Sequence, residues 1–222
     1  MSISQYWLAS SSPRRQEILS WTGIQFNTLT ADVDESTQEN ELGEKYVERL
    51  AAYKARTVVN KVTQNNIIIA ADTAVVLADK ILGKPADIQE AVSMLRALRD
   101  KRHQVITALC VIQPSTGFFV IDRCNSNVQM RKYSDEEINS YIRTGDPLDK
   151  AGAYAIQHFQ FDPVVNFHGC YACVMGMPLC HLERTLRRLK GYPWRNMPEI
   201  CQNNLDYTCP IHARVLNGED IG

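Results

Sequence analysis

The sequence has no apolar run approaching the roughly 20 residues that a membrane-spanning helix needs, so no membrane partner is expected. It has no excess of either charge: 24 Lys and Arg stand against 25 Asp and Glu, a formal net charge of −1. A nucleic-acid surface would show a basic stripe, and none is present, so no nucleic acid is expected either. The N-terminus lacks the charged-then-apolar plan of a signal peptide, which makes the cytoplasm the expected location. Internal repeats and low-complexity blocks are also missing. So are the glycines and the Gly-Lys-Ser/Thr ending of a Walker loop, which excludes that route to phosphate binding.

Cysteine is not scarce, but its pattern is uninformative. Seven cysteines without a secretion signal are expected to be reduced and mostly buried. Cys170-x-x-Cys173 falls in His168–Met175, which reads as a strand. Residues three apart on a strand face opposite ways, so a shared ligand site is not expected. Cys201, Cys209 and His212, with Cys180 or His181, match no standard zinc spacing.

What is present is 222 residues, 45% of them hydrophobic, enough for one sizeable core with or without an appendage. The stretch Ile67–Pro85, IIIAADTAVVLADKILGKP, organises the rest. Its brief, β-branched opening predicts a strand buried on both faces. Asp72 stands at the end of that run, where a carboxylate is costly to bury unless something meets it. Val75–Ala78, the turn Asp79-Lys80 and Ile81-Leu82 read as a hairpin that delivers Lys84. One carboxylate and one lysine then sit at the two ends of a single hairpin system.

Upstream, Tyr6–Ala9 reads as a strand, followed by Ser10-Ser11-Ser12-Pro13-Arg14-Arg15. Ser12 is a candidate N-cap with Pro13 at the first helical position. Such a turn is either a plain capped helix or an anion site with two guanidiniums one turn inside. Asp32–Glu35 is either a solvated acidic loop or a carboxylate pair for a hard divalent cation. Gly43–Asn60 reads as a helix with Val47, Leu50, Ala51, Ala55 and Val58 inward. Lys54 falls on that stripe, and either snorkels past the edge or points into an anion-holding cleft.

Downstream, Asp87 and Glu90 resemble a capping box before a helix with Ile88, Ala91, Val92, Leu95 and Leu98 on one face. Val105–Ile112, Phe118–Asp122 and Asn125–Met130 read as three strands, and Ser134 with Glu137 caps a helix. The loop from Gly145 to Gln157 carries Asp149, Lys150 and Gln157, a plausible ligand wall. Pro178 opens a last helix with Leu179, Leu182, Leu186 and Leu189 inward. Tyr192–Gly222 has little periodicity and reads as an appended tail, either packed on the domain or partly disordered.

Four stretches, LASSSPRRQEIL (Leu8–Leu19), VDE (Val33–Glu35), ADTAVVLADKILGKP (Ala71–Pro85) and PLDKAGAYAIQ (Pro147–Gln157), together resemble the Maf family of nucleotide pyrophosphatases. HQVITA (His103–Ala108) and GCYACVMGMPLCHL (Gly169–Leu182) extend the likeness. The resemblance implies an α/β fold related to the inosine triphosphate pyrophosphatases. It has a mixed central sheet flanked by helices, a deep cleft, and usually a homodimer. It sets residues 1–190 apart as the catalytic domain from 191–222 as an extension. It implies hydrolysis of a nucleoside triphosphate to monophosphate and pyrophosphate with a divalent cation, magnesium or manganese.

Asp72 matches the proposed proton acceptor. Glu35, Lys54 and Lys84 match charged catalytic positions, with Glu35 and Asp72 as metal ligands. Ser10, Ser12, Arg14 and Arg15 match the phosphate-handling turn. Arg14, Thr73 and Gln157 match the pattern of dTTP/UTP enzymes. In this reading Asp72 orients or deprotonates water, and nearby lysines lower its pKa. The rival reading is a nucleotide-binding regulator of septum formation with little turnover.

Overall fold

A computed structural model describes residues 5–219 and residue 221. Seven strands form one mixed sheet. In chain order they are β1 (Tyr6–Leu8), β2 (Phe26–Thr28), β3 (Ile67–Leu77), β4 (Lys80–Leu82), β5 (Arg102–Gln113), β6 (Phe118–Met130) and β7 (Val164–Val165). Their spatial order is β2-β1-β3-β5-β6-β7, with β4 folded back on β3. β1 runs parallel to β2 and β3; the other pairings are antiparallel.

The helices are α1 (Pro13–Trp21), α2 (Gly43–Val59), α3 (Ile88–Leu98), α4 (Asp135–Ile142), α5 (Tyr171–Val174), α6 (Leu179–Leu186), α7 (Met197–Leu205) and α8 (His212–Leu216). They cover both faces of the sheet and create two cores. On one face, Ile68, Ala70, Ala74 and Val76 of β3 meet Val47, Leu50, Ala51, Ala55 and Val58 of α2. On the other, Ile67, Ile69, Ala71 and Val75 join the larger core built from α1, α3, α4 and α6. Period-two alternation splits β3 between them, which is why an unbroken apolar run was needed. Each fully buried Leu, Ile or Val contributes about 1.5–3 kcal/mol.

Several expectations change. Asp72 lies in the middle of an 11-residue strand, not at a strand end, because Thr73 to Leu77 continue the ladder with β5. The hairpin turn comes at Ala78 and Asp79, with Ala78 at φ 54°. Phe118–Met130 is one strand, not two. Arg123 and Cys124, which the sequence left between two strands, stay in register opposite Ala108 and Thr107.

His168–Met175 is no strand. Tyr171–Val174 is a short helix whose Cys170 Sγ accepts the Cys173 N–H at 3.3 Å. Ile88 is 55% exposed, while Ala91, Leu95 and Leu98 are buried. The Ser134 and Glu137 capping box forms as read, whereas Glu90 reaches the Ala86 N–H, not the Asp87 N–H. Met197 and Cys201 of α7 are buried in the main core, and the Arg195 guanidinium donates to the Thr22 carbonyl behind α1 at 3.2 Å.

The sheet has a gap that positions the site. β1 pairs with β3 only over Ile67–Ile69, and β4 only over Val75–Leu77. The Ala9 N–H donates to the Ile69 carbonyl at 2.8 Å, and the chain then leaves the sheet at Ser10. On that edge residues 70–74 have no partner strand, and unpaired backbone groups there need other partners.

Candidate active site

A cavity of about 280 Å³ opens at this gap. The serine turn and first turn of α1 form one wall, β3 the floor, and the 149–154 loop the opposite wall. Asp72 projects from β3 toward α2, at a position where the flanking even-numbered residues are apolar core. Lys54 reaches in from α2, on the inward stripe where the sequence placed it. Its Nζ lies 2.5 Å from Asp72 Oδ1 and 2.6 Å from Glu35 Oε1. One ammonium thus holds two carboxylates. Lys54 and Asp72 are 8% and 5% exposed, so snorkelling is excluded and the cleft reading stands.

The electrostatics differ from the sequence expectation in one respect. Burial pushes the Asp72 carboxyl above its usual range, and the attraction of Lys54 and Arg15 does not fully offset it. Lys54 does lower it, as the sequence suggests, but burial outweighs that pull. Desolvation wins because Asp72 is far more deeply buried than Glu35, and the Glu35 carboxylate beside it adds repulsion. Burial also works to raise Glu35, but there the Lys54 hydrogen bond and the charges of Lys54, Lys84 and Arg15 outweigh it, leaving Glu35 below the usual carboxylate range.

Arg15 has a more structural position than a free phosphate ligand. Its Nη1 donates to the Ala71 carbonyl at 2.7 Å, its Nη2 to Thr73 Oγ1 at 3.0 Å, and its Nε to the Gly176 carbonyl at 3.1 Å. Odd-numbered residues of β3 turn their backbone toward β1, so the guanidinium fills the gap in the ladder and brackets Asp72 from both sides. Thr73 Oγ1 also meets Thr107 Oγ1 at 2.9 Å, and Thr107 donates to the Cys173 carbonyl at 2.8 Å. Gly176 sits at φ 96°, and an added Cβ would lie 3.0 Å from Thr73 Oγ1. A side chain there would be strained and would crowd the Arg15 fork.

The turn before α1 works without its expected cap. Ser12 makes no side-chain cap bond; instead Ser10 Oγ accepts the Ser12 N–H at 3.2 Å. Pro13 occupies the first helical turn as read. The first N–H groups of a helix have no intrahelical acceptor, so this wall presents donors to the cavity. Arg14 and Lys84 line the same space.

Gln157 is not brought together with the others. A turn closed by the His158 N–H on the Ala155 carbonyl at 3.2 Å puts Gln157 at an exposed tip, outside the cavity wall. Asp149 and Lys150 stand in the wall as the 145–157 loop suggested, whereas Tyr46 and Tyr154 line it without an assigned role in the sequence. Tyr46 lies eight residues before Lys54 on the same helix face, a spacing that could have flagged it. Lys150 Nζ is held by Asp149 Oδ1 at 2.5 Å and Asp146 Oδ1 at 2.8 Å.

Among the described residues, no group of three or more His, Cys, Asp or Glu side chains could hold a metal ion. The cysteines are free and buried. Glu35 and Asp72 nonetheless fit a magnesium-type ion. Both carboxylates reach the Lys54 ammonium, and such ions commonly take one or two carboxylates with phosphate oxygens and water.

The Maf-like protein family matches residues 5–189. The chain belongs to the Maf family. Relatives include the dTTP/UTP pyrophosphatase of Desulforamulus reducens, 44% identical over 180 residues, covering 81% of this chain and 94% of the relative. That of Acinetobacter baylyi is 40% identical over 185 residues, covering 83% of this chain and 100% of the relative. That of Aquifex aeolicus is 42% identical over 182 residues, covering 82% and 94%. Among solved structures, the Staphylococcus aureus Ham1 protein aligns over 97% of this Maf chain and 100% of its own, at 14% identity and a TM-score of 0.45. Among the described residues no helix is long and apolar enough to cross a membrane.

Proposed function

We propose that this Maf protein hydrolyses dTTP and UTP to the nucleoside monophosphate and pyrophosphate. The observation that carries the reading is the pairing of a buried carboxylate, Asp72, with Lys54 and Glu35 in a cavity rimmed by Arg14, Lys84 and the donors of the serine turn. The choice of pyrimidine substrates is supported by the names of relatives at 40–44% identity.

Asp72, with its raised pKa, is a better proton acceptor than an ordinary aspartate. It takes a proton from water as the water oxygen bonds to the α-phosphorus. The bond from that phosphorus to the bridging oxygen breaks, and pyrophosphate leaves. Arg14, Lys84 and the N–H groups of the turn meet the charge that gathers on the leaving group. Lys54 holds Asp72 and Glu35 in register. Arg15 fixes the β3 segment that carries Asp72, and so acts through position.

Glu35 and Asp72 would hold a divalent cation, which when bound neutralises phosphate charge and polarises the reacting centre. Homodimer formation, cytoplasmic residence and a division near residue 190 belong to the same reading. The end of the family match at residue 189 supports the division.

The test is pyrophosphate release from a panel of nucleoside triphosphates with magnesium or manganese. Release from dTTP and UTP well ahead of purines is expected. Release from none of them would overturn the activity, and faster purine turnover would overturn the substrate choice. Light scattering on a sizing column tests the dimer.

A further inference from the structure

Of the charged groups that meet at Lys54, Glu35 alone comes from a loop. Residues 29–42 form neither helix nor strand, and the Glu35 side chain is 44% exposed. A carboxylate on an exposed loop of this length would normally sample many positions. Here its oxygen stands 2.6 Å from Lys54 Nζ.

The fastening lies outside the cavity. Arg49, on α2, grips Glu41 with two parallel bonds, Nε to Oε1 and Nη2 to Oε2, both 2.6 Å. The same Nη2 donates to the Ser36 carbonyl at 3.0 Å. Glu41 Oε2 also accepts the Gln38 N–H at 3.0 Å, which closes the loop on itself. Tyr46, one turn earlier on α2, donates its hydroxyl to the Glu35 carbonyl at 2.8 Å.

Exposed ion pairs usually contribute little. This one differs in geometry and setting. It is bidentate, and the paired side chains are only 15% and 6% exposed. The guanidinium carbon also lies 5.6 Å and 5.9 Å from the ring centres of Tyr46 and Tyr53. The planar fork of arginine suits such a site where lysine would not.

We infer that Arg49 and Glu41 are positioning residues whose clasp fixes residues 35–41 on α2 and sets where the Glu35 carboxylate stands relative to Lys54 and Asp72. The inference rests on the proposed function in assigning Glu35 a part in the reaction. The clasp touches neither substrate nor reacting atoms.

The experiment uses Arg49→Ala, Arg49→Lys and Glu41→Gln, each alone and combined with Glu35→Gln. It measures dTTP turnover against manganese concentration, together with amide hydrogen exchange. Arg49→Ala should raise the half-activating manganese concentration about tenfold, as loss of a ligand-orienting partner typically does. Saturating manganese should restore much of kcat, and Arg49→Lys should fall between. In the Glu35→Gln background Arg49→Ala should add nothing, because the group it positions is gone. Exchange in residues 34–41 should speed up while β3 stays protected.

Unchanged manganese dependence overturns the inference even where exchange rises, and so does an equal loss in the Glu35→Gln background. A wild-type protein that releases no pyrophosphate would overturn the proposed function alone. In that case exchange decides the clasp, and unchanged exchange in Arg49→Ala overturns it.

Discussion

Two aspartates in the same sheet, buried Asp72 on β3 and half-buried Asp122 on β6, meet opposite fates. Asp122 receives Arg184 through two bonds, Nε to Oδ2 at 2.6 Å and Nη2 to Oδ1 at 2.5 Å. Thr185 Oγ1 adds a bond to Oδ2 at 3.1 Å and the Arg123 N–H one to Oδ1 at 2.8 Å. Burial works to raise Asp122, but the Arg184 hydrogen bond, the nearby His181 and the Arg184 charge together hold it below the usual range. Asp72 has one lysine, shared with Glu35, and burial prevails. A carboxylate whose acceptors are filled is part of the scaffold. One left short of donors beside a cavity keeps the capacity to take a proton.

That contrast can be broken in four ways. The largest expected effect is on turnover. Asp72→Asn should lower kcat by about 10³-fold, the scale of a lost general base, while the thermal midpoint holds or rises because a poorly solvated charge is gone. An Asp72→Asn enzyme with full turnover would sink the assignment.

Asp122→Asn should do the reverse, costing about 3 kcal/mol in urea unfolding with activity per folded molecule retained. Its sign with pH follows from linkage. The lowered pKa of folded Asp122 contributes stability that is present above its unfolded value and is lost as pH falls through the folded one. The variant's stability should therefore fall less steeply on acidification than that of the wild type.

Third, Arg15→Lys should reduce kcat/KM by roughly 10²-fold, because an ammonium cannot bond Ala71, Thr73 and Gly176 at once and the β3 segment shifts. A loss confined to KM would instead make Arg15 a simple phosphate ligand.

The smallest effect is a displacement of the pH profile. Activity should rise with pH as Asp72 deprotonates. Lys54 pulls the Asp72 pKa down, so Lys54→Met should move the acid limb of kcat/KM to higher pH. An unmoved limb would mean that another group titrates.

Much of this was legible in the residues. Asp72 could be singled out because a carboxylate inside a β-branched run needs a partner, and Lys54 because it lay on an apolar stripe. Their meeting follows from α2 packing on one face of β3. The Arg15 fork could not be read, since it depends on where β1 and β4 stop pairing, a property of sheet register. The continuity of β6 through Arg123 and Cys124 could not be read, because the partner of Asp122, Arg184, lies 62 residues away. The short helix at Tyr171 was taken for a strand because four residues are too few to show a period. Glu35 looked like one of several solvated acids. Apart from the family likeness, what distinguishes it is its ion pair with Lys54 and the clasp of Arg49, Glu41 and Tyr46, and those contacts are tertiary.

The interrupted edge of β3 also acts as a checkpoint on threading. A slip of one position along β5 would exchange the two sides of the ribbon. Asp72 would turn to the face where Ala71 and Val75 join the larger core, and Thr73 or Ala71 would be offered to Lys54. The misaligned chain would lose the Asp72–Lys54 pair and set a carboxylate where the Arg15 fork now holds Thr73, so register and the proposed hydrolytic centre stand or fall together.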